Sequence, residues 1–160
     1  VGIEIIKAGP GDLEELIRWR MEVLRDVFAP LPEKDAEPLR KRNIGYYKET
    51  FISGGHIACF AFLDGVKVGC GGMCLQREMP SPDNPSGQCA YLMNIYTRPD
   101  YRGRGIGGAV VSFLIAEARK RQITKVYLEA AENAVRFYRK LGFEPLEGYM
   151  KLCFSNTKKT

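Results

Sequence analysis

The stretch Tyr91-Leu92-Met93-Asn94-Ile95-Tyr96-Thr97-Arg98-Pro99-Asp100-Tyr101-Arg102-Gly103-Arg104-Gly105-Ile106-Gly107-Gly108 runs from a β-rich segment into a helix through a glycine-rich turn. Cys89 to Thr97 reads as a strand, and Pro99-Asp100 stops it. Ile106 to Gln122 reads as a helix, with Ile106, Val110, Phe113 and Leu114 on one face. Glycines 103, 105, 107 and 108 sit at and just inside its start, where each costs about 1 kcal/mol against alanine if helical. Small residues there let a ligand approach the backbone, and first-turn N–H groups at the positive end of the helix dipole bind phosphate oxygens. A diphosphate suits such a turn. Taken alone, the turn also fits a purely structural role, allowing a tight bend and close packing of helix on sheet.

Before this stretch, residues 3 to 7 read as a short strand ended by Gly9-Pro10-Gly11. Leu13, Leu16, Ile17, Met21, Leu24 and Phe28 then recur at helical spacing. Pro30 and Pro32 break that helix, and a second runs from about Ala36 to Phe51, closing at Ser53-Gly54-Gly55. His56 to Leu63 and Val66 to Leu75 form a hairpin around Asp64-Gly65, the dipeptide of a type I′ turn. Gln76 to Gln88, with three prolines, reads as a long loop, functional or mobile. After the glycine turn, Lys125 to Glu129 reads as a strand and Asn133 to Leu141 as a short helix closed by Gly142. Phe143 to Pro145 and Tyr149 to Phe154 read as terminal strands, and Ser155 to Thr160 as a frayed tail. An antiparallel half followed by a strand, helix, strand unit gives a mixed α/β class, and no linker divides residues 1–160, so one domain is expected.

Composition narrows the function classes. A chain of 160 residues with 45% hydrophobic and 27% charged content is too apolar for disorder and sized for one core. No apolar stretch reaches the roughly 18 to 20 residues that span a bilayer, so no membrane partner is expected. No secretory signal is visible at the first residues, and the odd set Cys59, Cys70, Cys74, Cys89 and Cys153 lies mostly in apolar runs, as reduced thiols do. A cytoplasmic setting follows as the expectation. No metal is expected, because Cys70 and Cys74 lie in a strand and His56 is the only histidine. The net charge of +5 favours anionic ligands without choosing among them. Its basic groups lack the aromatic interleaving that stacks bases, so nucleic acid is not expected as a partner. The sequence leaves a homodimer open.

Two familiar phosphate turns compete for the glycine segment. A Walker turn fails, since no Gly-x-x-x-x-Gly-Lys-Ser/Thr exists. A dinucleotide fingerprint matches as Gly103-x-Gly105-x-x-Gly108, with Glu129 downstream, which would suit an NAD-dependent oxidoreductase. Against it, Arg98 to Arg102 separate the first glycine from the strand, and too little chain follows for two mononucleotide halves.

From Tyr91 to Phe143 the chain resembles the GCN5-related N-acetyltransferase superfamily. That family's signature is Arg or Gln, two residues, Gly, one residue, Gly or Ala; here it reads Arg102-Gly103-Arg104-Gly105-Ile106-Gly107 after Ile95-Tyr96-Thr97-Arg98-Pro99. Its later segment is matched by Asn133-Ala134-Val135-Arg136-Phe137-Tyr138-Arg139-Lys140-Leu141-Gly142-Phe143. The resemblance implies an α/β (α+β) fold: a mixed, mainly antiparallel twisted sheet with helices on both faces and a central parallel strand pair. It implies acetyl-CoA as cosubstrate and a small-molecule or peptide amine as acceptor. By similarity, Ile95, Tyr96 and Thr97 line the pantetheine arm, with backbone groups of Ile95 and Thr97 holding it. Amides of Arg102, Gly103, Arg104, Gly105, Ile106, Gly107 and Gly108 hold the diphosphate, and Asn133 touches the pantetheine or its neighbour. The Arg102 and Arg104 side chains screen the phosphates or are plain surface cations.

Without the family, Tyr138 reads as a core aromatic sharing a helical face with Ala134, Phe137 and Leu141. With it, the phenol is placed to protonate the departing thiolate as general acid. Phenol and thiol differ by roughly 2 kcal/mol in proton affinity, small enough for that transfer. Many relatives carry a base carboxylate on the fourth strand, but Cys89 to Asn94 contains none. Glu129 is then the candidate base, against a reading as a solvated strand-end charge, with Glu78, His56 and water relays open. A cysteine nucleophile lacks an activating base, so direct transfer is expected. The missing carboxylate also fits a non-catalytic module that senses acyl-CoA.

Overall fold

The computed structural model describes residues 2–154, and the tail expected to fray, 155–160, lies outside the described residues. Chain contacts separate two compact units, Val1–Glu129 and Ala130–Thr160. The first contains β1 (Ile3–Lys7), α1 (Leu13–Val27), α2 (Glu33–Ser53), β2 (His56–Leu63), β3 (Val66–Arg77), β4 (Gln88–Thr97), α3 (Ile106–Lys120) and β5 (Lys125–Leu128). Its sheet has the order β1-β2-β3-β4-β5. Neighbours are antiparallel from β1 to β4, and β5 alone runs parallel, beside β4. A sheet with one parallel pair is not the doubly wound sheet that a dinucleotide fingerprint requires, so that alternative falls.

Local chemistry accounts for most of these elements. Asp64 at φ +49° and Gly65 at φ +81° supply the turn joining β2 to β3, as Asp-Gly dipeptides do. Along α1, Ile17, Met21 and Leu24 recur at helical spacing and are buried with Leu16, Trp19 and Val23. They pack with Ala58 and Phe60 of β2, Cys70 of β3 and Tyr96 of β4 on one sheet face. Burying each large side chain there contributes about 1.5 to 3 kcal/mol. α2 starts at Glu33, ahead of the expected Ala36, because Pro32 serves as N-cap and the helix accommodates Pro38; it ends on Gly54 in the left-handed region.

The opposite sheet face takes α3, whose Ile106, Val110 and Leu114 are buried. Glycines in β3 let it approach closely. A Cβ on Gly69 would lie 2.8 Å from the Tyr96 carbonyl and 3.3 Å from Ile106 Cγ2, and one on Gly71 would run into Val110 Cγ1. Helices thus cover both faces of the sheet, as the resemblance implies.

The second unit holds a 3-10 turn at Glu132–Ala134 and α4 (Val135–Lys140). Gly142, at φ +94°, closes α4 with its N–H on the Arg139 carbonyl, while the Phe143 N–H reaches the Tyr138 carbonyl. The strands expected at Phe143 to Pro145 and Tyr149 to Phe154 do not form: among the described residues, 143–154 carry no strand. Alternating apolar residues make a strand only against a partner edge, and without ladder bonds Met150, Leu152 and Phe154 stand exposed.

Candidate functional site

The site begins with an interruption in β4. Gly72 pairs with Met93 and Cys70 with Tyr96, so Asn94 and Ile95 together oppose the single residue Gly71. Asn94 takes φ +59°, a conformation asparagine tolerates better than most residues, and the strand bulges there. Its side chain is tied down: Arg20 Nη1 of α1 donates to Asn94 Oδ1 at 3.0 Å, and Arg20 Nε donates to Asn43 Oδ1 of α2 at 3.2 Å. The parallel ladder to β5 ends at Leu92, opposite Leu128 and two residues before Asn94. Beyond it, β4 runs on to Thr97, and that edge of Ile95, Tyr96 and Thr97 has no ladder partner among the described residues. Open strand edges carry unpaired N–H and C=O groups that an extended ligand can use.

From this edge the chain passes through a 3-10 turn, Pro99–Tyr101, into the glycine turn. Gly103 (φ +76°) and Gly105 (φ +82°) adopt left-handed conformations, and a Cβ on Gly103 would meet nothing within 4 Å. Gly105 is the N-cap of α3 and no side chain caps the helix. The first hydrogen bond back to the turn runs from Ala109 N–H to the Gly105 carbonyl, at 3.1 Å. The amides of Ile106, Gly107 and Gly108 therefore have no acceptor among the described residues, which fits a diphosphate. The arginines of the turn are engaged with protein. Arg102 Nε donates to the Thr97 carbonyl and Nη2 pairs with Asp26, while Arg104 Nη2 donates to the Asp100 carbonyl.

On the sheet face that carries α1 and α2, a polar cluster adjoins the bulge. Tyr46 of α2 shares a 2.8 Å hydrogen bond with His56 Nδ1 and donates to Cys74 Sγ at 3.1 Å. His56 Nε2 is buried without a partner, and it lies over Gly72, where a Cβ would come within 2.9 Å of it. Burial, followed by the charge of Arg20, lowers the His56 pKa to about 4, so the ring is neutral at pH 7. Tyr91 and Tyr127 pair across β4 and β5 with ring centroids 4.9 Å apart. Glu129 follows immediately after β5, exposed, where the two strands cease to pair; burial first and then the Glu129 charge raise the Tyr91 pKa.

Glu78 stands at the other end of this ladder. It forms an ion pair with Lys125 at 2.9 Å and accepts from the Asn84 side chain. Asn84, only 1% exposed, also donates to the Gln88 carbonyl, and Glu78 N–H reaches the Gly87 carbonyl. The proline-rich segment is thus a tied-down loop, and the Glu78 carboxylate, held low by Lys125, is engaged in closing it. In the second unit, Asn133 lies exposed in the 3-10 turn. Tyr138 packs edge-on against Phe137 and Phe143, and burial raises its pKa, which keeps the phenol protonated. Sequence reasoning did not single out Asn94, Arg20 or Asn43; the one signal was an asparagine inside an otherwise β-rich run.

The model of the acetyltransferase (GNAT) family matches residues 13–143. Glucosamine 6-phosphate N-acetyltransferase of Trypanosoma brucei brucei is 36% identical over 62 residues, which are 39% of this chain and 42% of that protein. The chain thus spans less than half the length of that curated relative. Among solved structures, a predicted acetyltransferase of Clostridium acetobutylicum with acetyl-CoA superimposes with a TM-score of 0.84 at 24% identity, covering 95% of this chain and 96% of that one. A GCN5-related N-acetyltransferase of Ralstonia eutropha JMP134 follows with a TM-score of 0.79, 24% identity and coverage of 95% and 99%.

Proposed function

The chain belongs to the acetyltransferase (GNAT) family, and from that premise we propose that it moves an acetyl group from acetyl-CoA directly to a primary amine, acting as one domain. The observation that carries this reading is the set of unpartnered amides at Ile106, Gly107 and Gly108 beside the open β4 edge. Backbone groups of Ile95 and Thr97, with Tyr96 between them, would hold the pantetheine arm. The turn from Gly103 through Arg104 and Gly105 to Gly108 would hold the diphosphate by its amides, and Asn133 would contact the arm; the Arg102 amide, expected among these donors, is instead spent on the Pro99 carbonyl at 3.2 Å, which closes the 3-10 turn. Acetyl-CoA supplies an activated acyl thioester.

The chain's own groups then have definable tasks. Tyr138 holds a proton on Oη, kept there by burial, and gives it to the leaving thiolate. A backbone N–H of the bulged β4 stabilises the developing oxyanion. Glu129, exposed where β4 and β5 cease to pair, takes the proton of the acceptor ammonium, directly or through water. The acceptor named for the Trypanosoma relative, glucosamine 6-phosphate, is itself a primary amine. A cytoplasmic location is supported by the cysteines, all of which are unbridged thiols.

One observation favours a second reading as an acyl-CoA-sensing module: β4, Gln88–Thr97, contains no carboxylate. Release of free thiol from acetyl-CoA in the presence of amines separates the two. The enzyme reading expects CoA release, and Tyr138→Phe lowering kcat by about 100-fold with CoA affinity within about 2-fold of the parent. Unchanged turnover in that variant removes Tyr138 as the acid, and tight acetyl-CoA binding without turnover on any amine replaces the enzyme with the sensor.

A further inference from the structure

Among the described residues, the half-buried cationic side chains are Arg20, Lys67, Arg98, Arg121 and Lys125. Lys67 pairs with Glu15 at 2.7 Å, Arg98 with Glu22 at 2.9 Å, Arg121 with Glu117 at 3.0 Å and Lys125 with Glu78 at 2.9 Å. Arg20 is the exception. Its hydrogen bonds go to the side-chain amide oxygens of Asn43 and Asn94, and no carboxylate among the described residues pairs with it. Amide oxygens accept its protons without cancelling its charge, so part of the desolvation cost stays uncompensated. Both hydrogens on Nη2 and the second on Nη1 have no partner among the described residues. Nη2 is not buried, since His56 Nε2 is the only buried side-chain nitrogen or oxygen without a partner among the described residues.

The surroundings suit an anion. The charge of Arg20 is felt at Tyr46, Tyr47, His56 and Cys74. All of these are neutral at pH 7, because burial raises the phenol and thiol pKa values and lowers that of the imidazole. Arg20 is also fixed to Asn94, the residue that creates the β4 bulge, and the next residues of β4 are the ones assigned above to the acyl donor. An anionic group on Arg20 would therefore place the rest of its molecule beside the strand from which the acetyl group is delivered.

We propose that the acceptor is a small amine carrying a carboxylate or phosphate, and that Arg20 binds this anionic group and selects for it. The inference rests on the acetyl-transfer reading. It names a charge preference that this reading does not require, and it disfavours polyamines, whose charge Arg20 repels.

The test compares kcat/KM, from CoA release, for matched pairs: an α-amino acid against its amide, and an amino sugar phosphate against the unphosphorylated sugar, with spermidine as polycation. The expected result is a preference of at least about 10-fold for the charged member of one pair, and that pair tells carboxylate from phosphate. Arg20→Gln should collapse the ratio towards unity mainly through KM, and Arg20→Lys should keep part of it. Equal rates within both pairs, or a preference that survives in Arg20→Gln, overturn the proposal. Calorimetry with the N-acetylated products, charged and neutral, reads the same preference as binding, with CoA and without it. Failure to bind CoA breaks the acetyl-transfer reading, whereas CoA binding without any charge preference breaks this one alone.

Discussion

Arg98, just beyond β4, holds Glu22 of α1 through two parallel hydrogen bonds, Nε to Oε1 and Nη2 to Oε2, each 2.9 Å long. Its guanidinium also lies 4.3 Å from the centre of the Trp19 ring. The pair pins the first helix to the strand end from which the glycine turn departs. Its side chains are 40% and 33% exposed, so solvent screens much of the attraction. Glu22→Ala should cost about 1 kcal/mol, read as a lower urea midpoint with an unchanged slope. A midpoint equal to that of the parent would mean that the pair contributes nothing to stability.

The contact between β3 and α3 is steeper. Gly71→Ala puts a methyl group into Val110 Cγ1, with Ile95 Cδ1 at 3.2 Å and Leu114 Cδ1 at 3.3 Å beside it. Overpacking of this kind should lower stability by about 1 to 3 kcal/mol in denaturant unfolding. Gly103→Ala is the control: its φ of +76° strains an alanine by about 1 kcal/mol, but the added methyl meets open space. Gly71→Ala should be the more damaging of the two, and the reverse order would contradict the close approach of α3.

Glu117, 6% exposed on α3, has its pKa lowered to about 2, chiefly by the hydrogen bond from Lys120, helped by Arg121 and Lys7 and opposed by burial. Its folded pKa lies below the ordinary value of 4.5, so its stabilising contribution is complete above about pH 4.5 and disappears as pH falls towards 2. Lys7 and Lys120 are 50% and 70% exposed, which limits the contribution to something on the order of 2 kcal/mol. Unfolding free energies measured between pH 2 and 5 should fall with acid in the parent and fall less steeply in Glu117→Gln. Parallel slopes would remove Glu117 from acid stability.

What the sequence made legible was set by short-range chemistry. Asp64-Gly65 and Gly103-x-Gly105 announce themselves because few other residues adopt those backbone angles, and the α1 stripe follows from burial on one helix face. The bulge at Asn94 was not legible, since it depends on Gly71 of another strand and on Arg20 of a distant helix. The unpaired state of Arg20 was hidden for the same reason: sequence counts charges but does not say which carboxylates are already taken. Residues 149–154 misled in the opposite sense, because their apolar alternation shows what a strand would bury without supplying the edge it needs.

Titrating CoA into 15N-labelled protein while following backbone amide resonances tests most directly whether amides at the start of α3 hold a diphosphate. Saturable shifts concentrated at Gly103 to Gly108 and along Ile95 to Thr97, with none produced by NAD, are the expected result. Shifts confined to other parts of the chain, or equal responses to NAD and CoA, would contradict it.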